Sequence, residues 1–386
     1  MNSPSAREGI MSYSESFDVA IVGGGLGGLV SAQLLQKQGL SVILLEKKKY
    51  PFHRVCGEYI SNEVIPFLKK YDLFPEDLKP STINRFRMSS IAGKTLDMPL
   101  DLGGVGISRY AFDYWLVDKL KASGVKILDG CGVNGIKKYE EGFLIELADG
   151  RSLPCRLAIG AFGKRSSMDK KLQRPFIEKK SPYIGVKYHV RLDYPENLVA
   201  LHNFQGGYCG INRIEGNKYN LCYLSRRDNL KRNGNIQAME EAILFQNPRL
   251  KEIFRNSEFL FEKPETINEI SFEKKGPLFD GIPMVGDAAG MITPLCGNGM
   301  AMAIHAAYLF AEIVKNNWDN GPKLEVINQE YRKDWNNLFS IRLWAGRNIQ
   351  KLFGGKKSSN LAVNLGNQTP FIARFLMAQT HGKSFV

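Results

Sequence analysis

The sequence has 386 residues, of which 44% are hydrophobic, and its formal net charge at pH 7 is +13. This length and composition are typical of a globular protein with a sizeable core, arranged as one large domain or two intertwined ones. The basic residues occur in short groups such as "EKKKY" and "GGKKSS". Their distribution favours a solvated basic surface and argues against a nucleic-acid groove.

The first residues, "MNSPSAREGIMSYSES", are polar and lack the apolar core of a secretion signal. They predict a flexible tail over 1–16 and a cytoplasmic protein. No apolar run approaches the length needed to cross a bilayer. The cysteines are scattered, without a CxxC pair or a Cys/His cluster, which argues against a disulfide framework and against a metal site. They are Cys56, Cys131, Cys155, Cys209, Cys222 and Cys296.

The strongest local pattern is "FDVAIVGGGLGGLVSAQLLQKQGLSVILLE". Residues 17–22 predict a buried parallel strand, 29–38 a helix ended by Gly39, and the second apolar run a strand that closes on Glu46. The turn between strand and helix has GxGxxG spacing through Gly23, Gly25 and Gly28. A strand, a glycine turn, a helix and an acid in this order predict a dinucleotide site.

Each residue of this motif has a chemical reason. Gly23 permits the tight turn, Gly25 lets the backbone approach a pyrophosphate, and Gly28 lets helix and strand pack closely. The helix N-terminus attracts the pyrophosphate, and Glu46 accepts hydrogen bonds from the ribose hydroxyls. The alternative is a Rossmann-like unit without a nucleotide.

The next stretch, "FHRVCGEYIS" at 52–61, places a basic residue, a thiol, a glycine and an acid side by side. From these residues alone, Cys56 is open to several interpretations. It is a nucleophile, a metal ligand, half of a disulfide, or a neighbour of a reactive group that is not protein.

Residues 183–224 alternate apolar and polar positions in short runs, with "EGNK" as a hairpin turn. The pattern predicts an antiparallel sheet, one face of which can cover a cofactor.

A second cofactor segment is predicted at 281–314, "GIPMVGDAAGMITPLCGNGMAMAIHAAYLFAEIV". Residues 282–285 predict a strand that leads to Asp287, and a helix is predicted to begin near Met300. Asp287 would hold a ribityl hydroxyl, and the backbone N–H groups of the loop would face the pyrimidine edge of a flavin, where negative charge collects on reduction. That loop comprises Gly297, Asn298, Gly299 and Met300. Otherwise Asp287 caps a helix and the glycines serve only the loop.

The C-terminal stretch from residue 337 mixes aromatic, aliphatic and basic residues at loosely helical spacing. Its helices cover an apolar substrate, touch a membrane surface, or pack against the core. His305, in the helix after the glycine loop, is interpreted as a packed helix residue rather than a base.

The glycine motif, "GISRYAFDYWLVDKL" at 106–120 and "GDAAGMITPLCGNGMAMAI" together resemble one superfamily of FAD-dependent oxidoreductases. It groups geranylgeranyl reductases, flavin halogenases and para-hydroxybenzoate-hydroxylase-like monooxygenases. The resemblance spans residues 17–345. Within it, "VCGEYIS" is most similar to the cysteine-glycine motif of the geranylgeranyl reductase branch.

The resemblance implies several roles. Arg109 contacts the cofactor, and Arg54 approaches the phosphate or ribose region of FAD. Cys56 lies near the flavin and the substrate cavity, with a plain buried thiol as the alternative. Tyr208, in "GGYCGI", faces the cavity or is a cross-strand packing residue.

The sequence also departs from the superfamily pattern. Phe162 stands where many relatives have the Asp of an Ala-Asp-Gly run, so no acidic role is assigned there. The tryptophan-rich signature of flavin halogenases is absent, which argues against a halogenase. No second strand-GxGxxG-helix unit exists to hold NAD(P)H, so electrons are predicted to come from transient NAD(P)H docking or from a redox protein.

The predicted fold is α/β, a three-layer Rossmann-like FAD-binding domain with an inserted mixed and antiparallel β-sheet substrate domain. The cofactor domain is assigned to 17–80, 105–175 and 275–345, the substrate domain to 81–104 and 176–274, and a C-terminal helical segment to 346–386. The predicted activity is reduction of carbon-carbon double bonds in an apolar or lipid-like substrate, with Cys56 and Tyr208 as candidate catalytic residues. Alternatives are an aromatic monooxygenase, a halogenase, and a non-catalytic flavin-binding redox protein. Contact with a membrane periphery stays open.

Overall fold

The computed structural model describes residues 15–140, 142–293, 297–350, 353–378 and 382–386. The predicted tail at 1–16 therefore lies almost entirely outside the described residues, as does Cys296. The structure contains two large sheets and a set of helices, and it confirms the predicted fold class.

The first sheet has six strands in the order β6-β2-β1-β9-β8-β7. Its strands are β1 (Phe17–Val22), β2 (Val42–Glu46), β6 (Lys126–Asp129), β7 (Val133–Tyr139), β8 (Gly142–Leu147) and β9 (Ser152–Gly160). The pairs from β6 to β9 are parallel, and β8 and β7 extend the sheet antiparallel. The carboxyl ends of β1, β2 and β9 lie side by side, which is where ligands bind in open α/β sheets.

The second sheet, the substrate sheet, has nine strands in the order β14-β10-β13-β12-β11-β4-β5-β3, with β15 also paired to β10. Its strands are β3 (Tyr59–Ser61), β4 (Ser81–Ser89), β5 (Thr95–Gly106), β10 (Tyr183–Arg191), β11 (Leu198–Phe204), β12 (Gly207–Arg213), β13 (Tyr219–Arg226), β14 (Glu258–Phe259) and β15 (Glu265–Asn268). The predicted antiparallel run is present over β10 to β13, and β11 pairs in parallel with β4. In the predicted hairpin turn, Gly216 and Asn217 have φ of 65° and 54°, which is the conformation a tight primed turn requires.

The helices are α1 (Leu26–Lys37), α2 (Ile65–Lys70), α3 (Arg109–Ala122), α4 (Ser167–Lys171), α5 (Arg227–Asn233), α6 (Ile236–Ile243), α7 (Pro248–Asn256), α8 (Gly299–Asn316), α9 (Leu324–Ile349), α10 (Lys356–Gln368) and α11 (Pro370–Ala378). Helix α1 begins three residues before the predicted start, because Gly25 is its N-cap and the motif glycines form its first turn. Helix α8 begins within one residue of the prediction. No helix among the described residues is long and apolar enough to cross a membrane.

The strand predicted at 282–285 is shorter in the structure. A two-residue strand, β17 (Ile282–Pro283), pairs with β16 (Leu278–Phe279), and Met284 forms a single bridge to Gly160 of β9. The Met284 N–H still donates to the Pro277 carbonyl at 2.8 Å, but Pro277 has no N–H to donate in return, so the ladder with β16 does not continue. The Val285 N–H still donates to the Gly160 carbonyl at 2.9 Å, which keeps the segment beside β9.

The two faces of the substrate sheet differ because side chains alternate along each strand. One face packs Val186, Tyr188, Ile211 and Leu221 against α6 and α7 in a closed core. The other face looks toward the first sheet. The division into domains by residue number stays a prediction, and α9 runs continuously across its boundary at residue 346.

Candidate functional site

One large cavity, with a volume of about 900 Å³, runs between the two sheets. At one end it is lined by the glycine motif of β1 and α1, and at the other by α10 and α11. In between it passes the segment 52–58 and the N-terminus of α8. Every residue assigned to the site from the sequence lines this cavity except Gly28 and Asn298.

The glycine motif forms the first end of the cavity. Gly23 has φ of 116°, and a Cβ there would lie 2.3 Å from the Ala161 carbonyl oxygen. A Cβ on Gly28 would meet the Gly23 carbonyl oxygen at 2.0 Å, so glycine is needed for α1 to approach β1. Gly25 differs from both, because its nearest neighbour is an Arg109 nitrogen at 3.7 Å and its open side faces the cavity. No side chain caps α1, so its first N–H groups are available to an anion.

Glu46 is buried at the end of β2, and its carboxylate is tied to the same turn. It accepts hydrogen bonds from the Gly24 N–H at 3.1 Å and from Arg54 at 3.0 Å. Arg54 also donates to the Gly24 carbonyl at 2.9 Å and to Asp113 at 3.1 Å. The sequence motifs that named Glu46 and Arg54 separately therefore lie in direct contact.

Helix α3 brings Arg109 to this end of the cavity. Ser108 caps the helix by accepting from the Ala111 N–H, and Arg109 occupies the first helical position. Its guanidinium donates two hydrogen bonds to Asp113, at 2.6 and 2.7 Å. Burial by itself would lower the pKa of Arg109, but the Asp113 carboxylate outweighs it and raises that pKa, so the side chain stays charged.

A second helix N-terminus reaches the same cavity at α8. Gly297, Gly299 and Met300 line the cavity there, while Asn298 is buried behind them as the N-cap residue without a side-chain capping bond. Asp287 also lines the cavity, and the Lys275 ammonium donates to its carbonyl at 2.8 Å. The Asp287 carboxylate caps no described helix. Two helix N-termini therefore face one cavity, which suits a ligand that carries negative charge at two places.

Lys275 was not singled out from the sequence. Burial lowers its pKa to about 8, although Asp287 and Asp169 act in the opposite direction. Its contact with Asp287 could be recognised only from the structure, which places the segment before β16 beside the turn after β17.

The segment 54–58 has no regular secondary structure, yet each of its carbonyls but one is held by a side chain from outside the segment. In each case a side-chain nitrogen donates to a backbone carbonyl. The pairs are Lys187 and the Arg54 carbonyl (3.1 Å), Lys164 and the Val55 carbonyl (2.8 Å), Asn220 and the Cys56 carbonyl (3.1 Å), and Asn212 and the Glu58 carbonyl (3.3 Å). Three of these donors belong to the substrate sheet. The amide N–H groups of Val55, Cys56 and Gly57 bond to no residue that the structure describes, and all three residues line the cavity. The segment is thus positioned from behind, with donors left for a ligand.

Glu58 anchors the end of this segment by a fully buried ion set. Its carboxylate accepts from Lys187 at 2.5 Å, from His189 at 2.7 Å and from the Arg109 N–H at 2.8 Å. Burial alone would raise the pKa of Glu58, but the Lys187 ammonium and the two side-chain hydrogen bonds outweigh it and lower that pKa to about 2. Neither Lys187 nor His189 stood out in the sequence, because each is one polar position in an alternating strand.

His53 lies in the cavity wall beside this ion set. Its ring stacks on Tyr110 at 4.5 Å and meets His189 edge-on at 5.1 Å. Burial and the Lys187 charge lower the pKa of His53 to about 4, so the ring is neutral at pH 7. A neutral imidazole in the wall can donate one hydrogen bond and accept another without adding charge to the cavity.

Cys56 lines the cavity as a partly buried free thiol. Its sulfur accepts from the Glu58 N–H at 3.5 Å and is also within hydrogen-bonding reach of Arg109. No group of three or more metal-ligating side chains occurs among the described residues, and no disulfide joins the cysteines described. Of the four interpretations of Cys56, the geometry favours a neighbour of whatever the cavity binds.

Another part of the cavity, which we call the apolar arm, is lined by residues of β4, β5, β11, α10 and α11. The lining residues from these five elements carry no charge. Tyr208 of β12 stands at its side, where its ring meets Phe353 at 5.5 Å and packs against Leu201 and Leu224. Tyr208 therefore both faces the cavity and packs across strands, so the two interpretations left open by the sequence are compatible.

Two other positions behave as the sequence suggested. Phe162, in place of the Asp of related proteins, lies just after β9 and lines the cavity. His305 is buried in α8 and stacks on Phe385 at 3.7 Å, and burial lowers its pKa to about 4. It is a packed helix residue.

The residues present fit FAD. One end of the cavity offers an uncapped helix N-terminus with room at Gly25, and the Glu46 carboxylate is bonded to the same turn. The middle offers a second helix N-terminus and the open amides of 55–57. These are the donors that a pyrophosphate and the pyrimidine edge of a flavin require.

Comparisons with known proteins agree with this geometry. The family described as FAD binding domain matches residues 16–316. The chain is 24% identical to digeranylgeranylglycerophospholipid reductase 1 of Methanopyrus kandleri, over 87% of this chain and 90% of that one. It is 30% identical to rifampicin monooxygenase of Streptomyces venezuelae, over 40% of this chain and 34% of that one.

A solved structure extends the comparison to the fold. A geranylgeranyl bacteriochlorophyll reductase-like protein from Thermoplasma acidophilum superimposes with a TM-score of 0.74 at 17% identity, over 95% of this chain and 99% of that one. At that identity the likeness shows the fold alone.

Proposed function

The chain belongs to the FAD binding domain family and is an FAD-dependent oxidoreductase, and from this premise we propose that it reduces carbon-carbon double bonds of an apolar, prenyl-like substrate. The observation that carries the proposal is the apolar arm. An uncharged arm of the same cavity that Cys56 lines suits a long hydrocarbon chain, because burying such a chain releases water without leaving a polar group unpaired. The digeranylgeranyl lipid named for the similar archaeal reductase is a substrate of this class.

FAD, when bound, would supply the hydride chemistry. The protein would position the cofactor and the substrate and would exclude water. Gly23, Gly25, Glu46, Arg54 and Arg109 would hold the nucleotide part. Asp287 and the loop at 297–300 would hold the ribityl and pyrimidine part. The ion set of Glu58 would fix the segment 54–58 so that the donors of 55–57 do not reorganise during reaction.

Cys56 and Tyr208 would act at the junction of the cofactor part and the arm. The Cys56 thiol is softer and less hydrated than a hydroxyl and would set the local polarity and proton delivery. The Tyr208 ring would position the chain as it enters. Electrons would come from NAD(P)H that docks transiently or from a redox protein.

The experiment is anaerobic turnover. Protein with bound FAD is reduced with dithionite, excess reductant is removed, and detergent-dispersed geranylgeraniol is added without oxygen. We expect the flavin absorbance to return and mass spectrometry to detect a product with one double bond fewer. If oxidation instead requires oxygen and yields a hydroxylated product, the monooxygenase alternative is correct.

Replacement of Cys56 tests its role separately. Cys56→Ser and Cys56→Ala should retain FAD and melting temperature but slow the oxidation of reduced flavin by substrate, as measured by rapid mixing. A packing cysteine would behave differently, with a stability loss for serine and unchanged kinetics for alanine.

A further inference from the structure

The C-terminal helices α10 and α11 carry an unusual set of exposed apolar side chains. Leu361, Leu365, Phe371 and Ile372 are 57%, 49%, 70% and 44% exposed. Scattered exposed apolar residues are ordinary, but a group on two consecutive, contacting helices marks an interaction surface. We call these four residues the apolar rim.

The apolar rim is also the mouth of the apolar arm. Leu361, Leu365 and Ile372 line the cavity as well as being exposed to solvent. Their side chains therefore connect the interior of the arm to the protein surface. Phe371 does not line the cavity and projects from the same helix as Ile372.

The charged residues of the C-terminal segment that carries the rim are all basic. Residues 335–386 contain no Asp or Glu, although the whole chain has 39 of them, and they contain seven Lys and Arg. Lys356 and Lys357 are exposed in the first turn of α10, and Lys357 lies one helical turn before Leu361. Arg374 is exposed one turn after Phe371. The neighbouring strand β5 carries two acids, Asp97, which is paired with Arg87 at 2.8 Å, and the exposed Asp101.

We propose that α10 and α11 dock on an anionic lipid bilayer, with the apolar rim inserted among the acyl chains and Lys356, Lys357 and Arg374 at the phosphate level. Apolar side chains flanked by basic ones are the chemistry of helices that lie in a membrane interface. A bilayer also explains why the rim and the mouth coincide, because an apolar substrate then enters the arm without crossing water. That last step rests on the proposed function, whereas the docking itself does not.

Vesicle binding tests the docking. Full-length protein with bound FAD is mixed with phosphatidylcholine vesicles that do or do not contain phosphatidylglycerol, with neither substrate nor reductant present, and bound protein is measured by sedimentation. We expect binding that requires phosphatidylglycerol and weakens at high salt. Phe371→Ser should weaken it roughly tenfold or more. The control Phe259→Ser, at a residue 37% exposed on β14, should leave it unchanged.

Charge reversal gives a second, independent arm. The double variant Lys356→Glu, Lys357→Glu should weaken binding about fivefold per charge. The control Lys231→Glu, Arg232→Glu makes the same change at exposed residues of α5 and should bind like the parent. All variants are compared only after their melting temperatures match.

Three outcomes would overturn the proposal. The parent protein binds neither kind of vesicle, the α5 control loses as much binding as the α10 variant, or the protein forms a dimer in solution that Phe371→Ser dissociates. The last result would make the rim a contact between two copies. Turnover of detergent-dispersed geranylgeraniol is independent of vesicles, so it fails or succeeds separately from docking.

Discussion

The two ends of the cavity are built from opposite materials. The cofactor end uses glycines, helix N-termini and charged side chains that bond to one another, among them Glu46, Arg54, Arg109 and Asp113. The arm end uses only uncharged, mostly apolar side chains of the substrate sheet and of α10 and α11. The cofactor end is therefore suited to bind its ligand by directed hydrogen bonds, while the arm is suited to bind its ligand by shape and by exclusion of water.

One sheet face joins these two ends. Along β12 and β13 the residues that face the cavity change from Asn212 and Asn220, which hold the segment 54–58, to Tyr208 and Leu224 in the arm. The polarity changes over a few residues of the same strands. Polar groups at one end thus support the cofactor segment without any charge reaching the hydrocarbon channel.

The largest expected effect concerns the buried ion set at the cofactor end. Lys187→Met should cost about 3–5 kcal/mol of unfolding free energy, because it leaves the Glu58 carboxylate buried with one cation fewer. The control Lys164→Met also removes a hydrogen bond to the segment, but from a partly exposed lysine that pairs with no carboxylate of the described residues, and should cost about 1 kcal/mol. Urea unfolding measures both. Equal losses of unfolding free energy would show that the buried ion set stabilises the fold no more than an ordinary hydrogen bond does.

The acid limb of stability should depend on Glu58. Its pKa is lowered from 4.5 to about 2, so its stabilisation is present above pH 4.5 and is lost as the pH falls from 4.5 to 2, amounting to about 3 kcal/mol. Glu240, on α6 against the opposite face of the sheet, accepts hydrogen bonds from Tyr188 and Tyr223, and burial raises its pKa to about 7. Its contribution is present below pH 4.5 and is lost as the pH rises from 4.5 to 7.

Matched variants separate the two carboxyls. Glu58→Gln should flatten the fall in stability below pH 4.5, and Glu240→Gln should flatten the fall between pH 4.5 and 7. Urea midpoints measured across pH 2.5–8 give the answer. If Glu58→Gln instead changes stability between pH 4.5 and 7, and Glu240→Gln changes it below pH 4.5, the assignment of the two pH windows to these carboxyls is wrong.

Gly25→Val should weaken FAD binding on the order of 100-fold with little change in the fold. The backbone at Gly25 has φ of −85°, which valine adopts, and the added atoms point into open cavity where the pyrophosphate would lie. FAD content after purification and titration of the apoprotein measure the loss. Gly25→Ala serves as the graded control with a smaller effect. A valine protein with stoichiometric FAD would contradict the phosphate assignment.

The smallest effect is expected from narrowing the arm. A Cβ on Gly210 has only ordinary contacts, the nearest being Leu201 at 3.4 Å, so Gly210→Leu extends into the cavity. We expect FAD to be retained and KM for a long prenyl substrate to rise roughly tenfold, with a short alkene affected less. Equal changes for both lengths would show that the arm does not hold the chain.

Much of the cofactor end could be predicted because its parts are local in sequence. The strand, turn and helix around Gly23, Gly25 and Gly28 lie within a short stretch, and steric limits at those glycines act between neighbours in the same βαβ unit. The helix after the loop at 297–300 was placed within one residue for the same reason. The strand at 282–285 was predicted too long, because after Pro283 the segment forms only a single bridge to β9, which is visible only when the partner strands are known.

The sequence by itself determined the fold class, the family and the glycine-rich cofactor motifs, since each depends on patterns of a few consecutive residues. Only the tertiary structure decided that Lys187 and His189 meet Glu58 about 130 positions away, and that α10 closes the arm against β4 and β5. A single lysine in an alternating strand gives no signal of its partner, because an ion pair depends on distance in space and not on spacing along the chain.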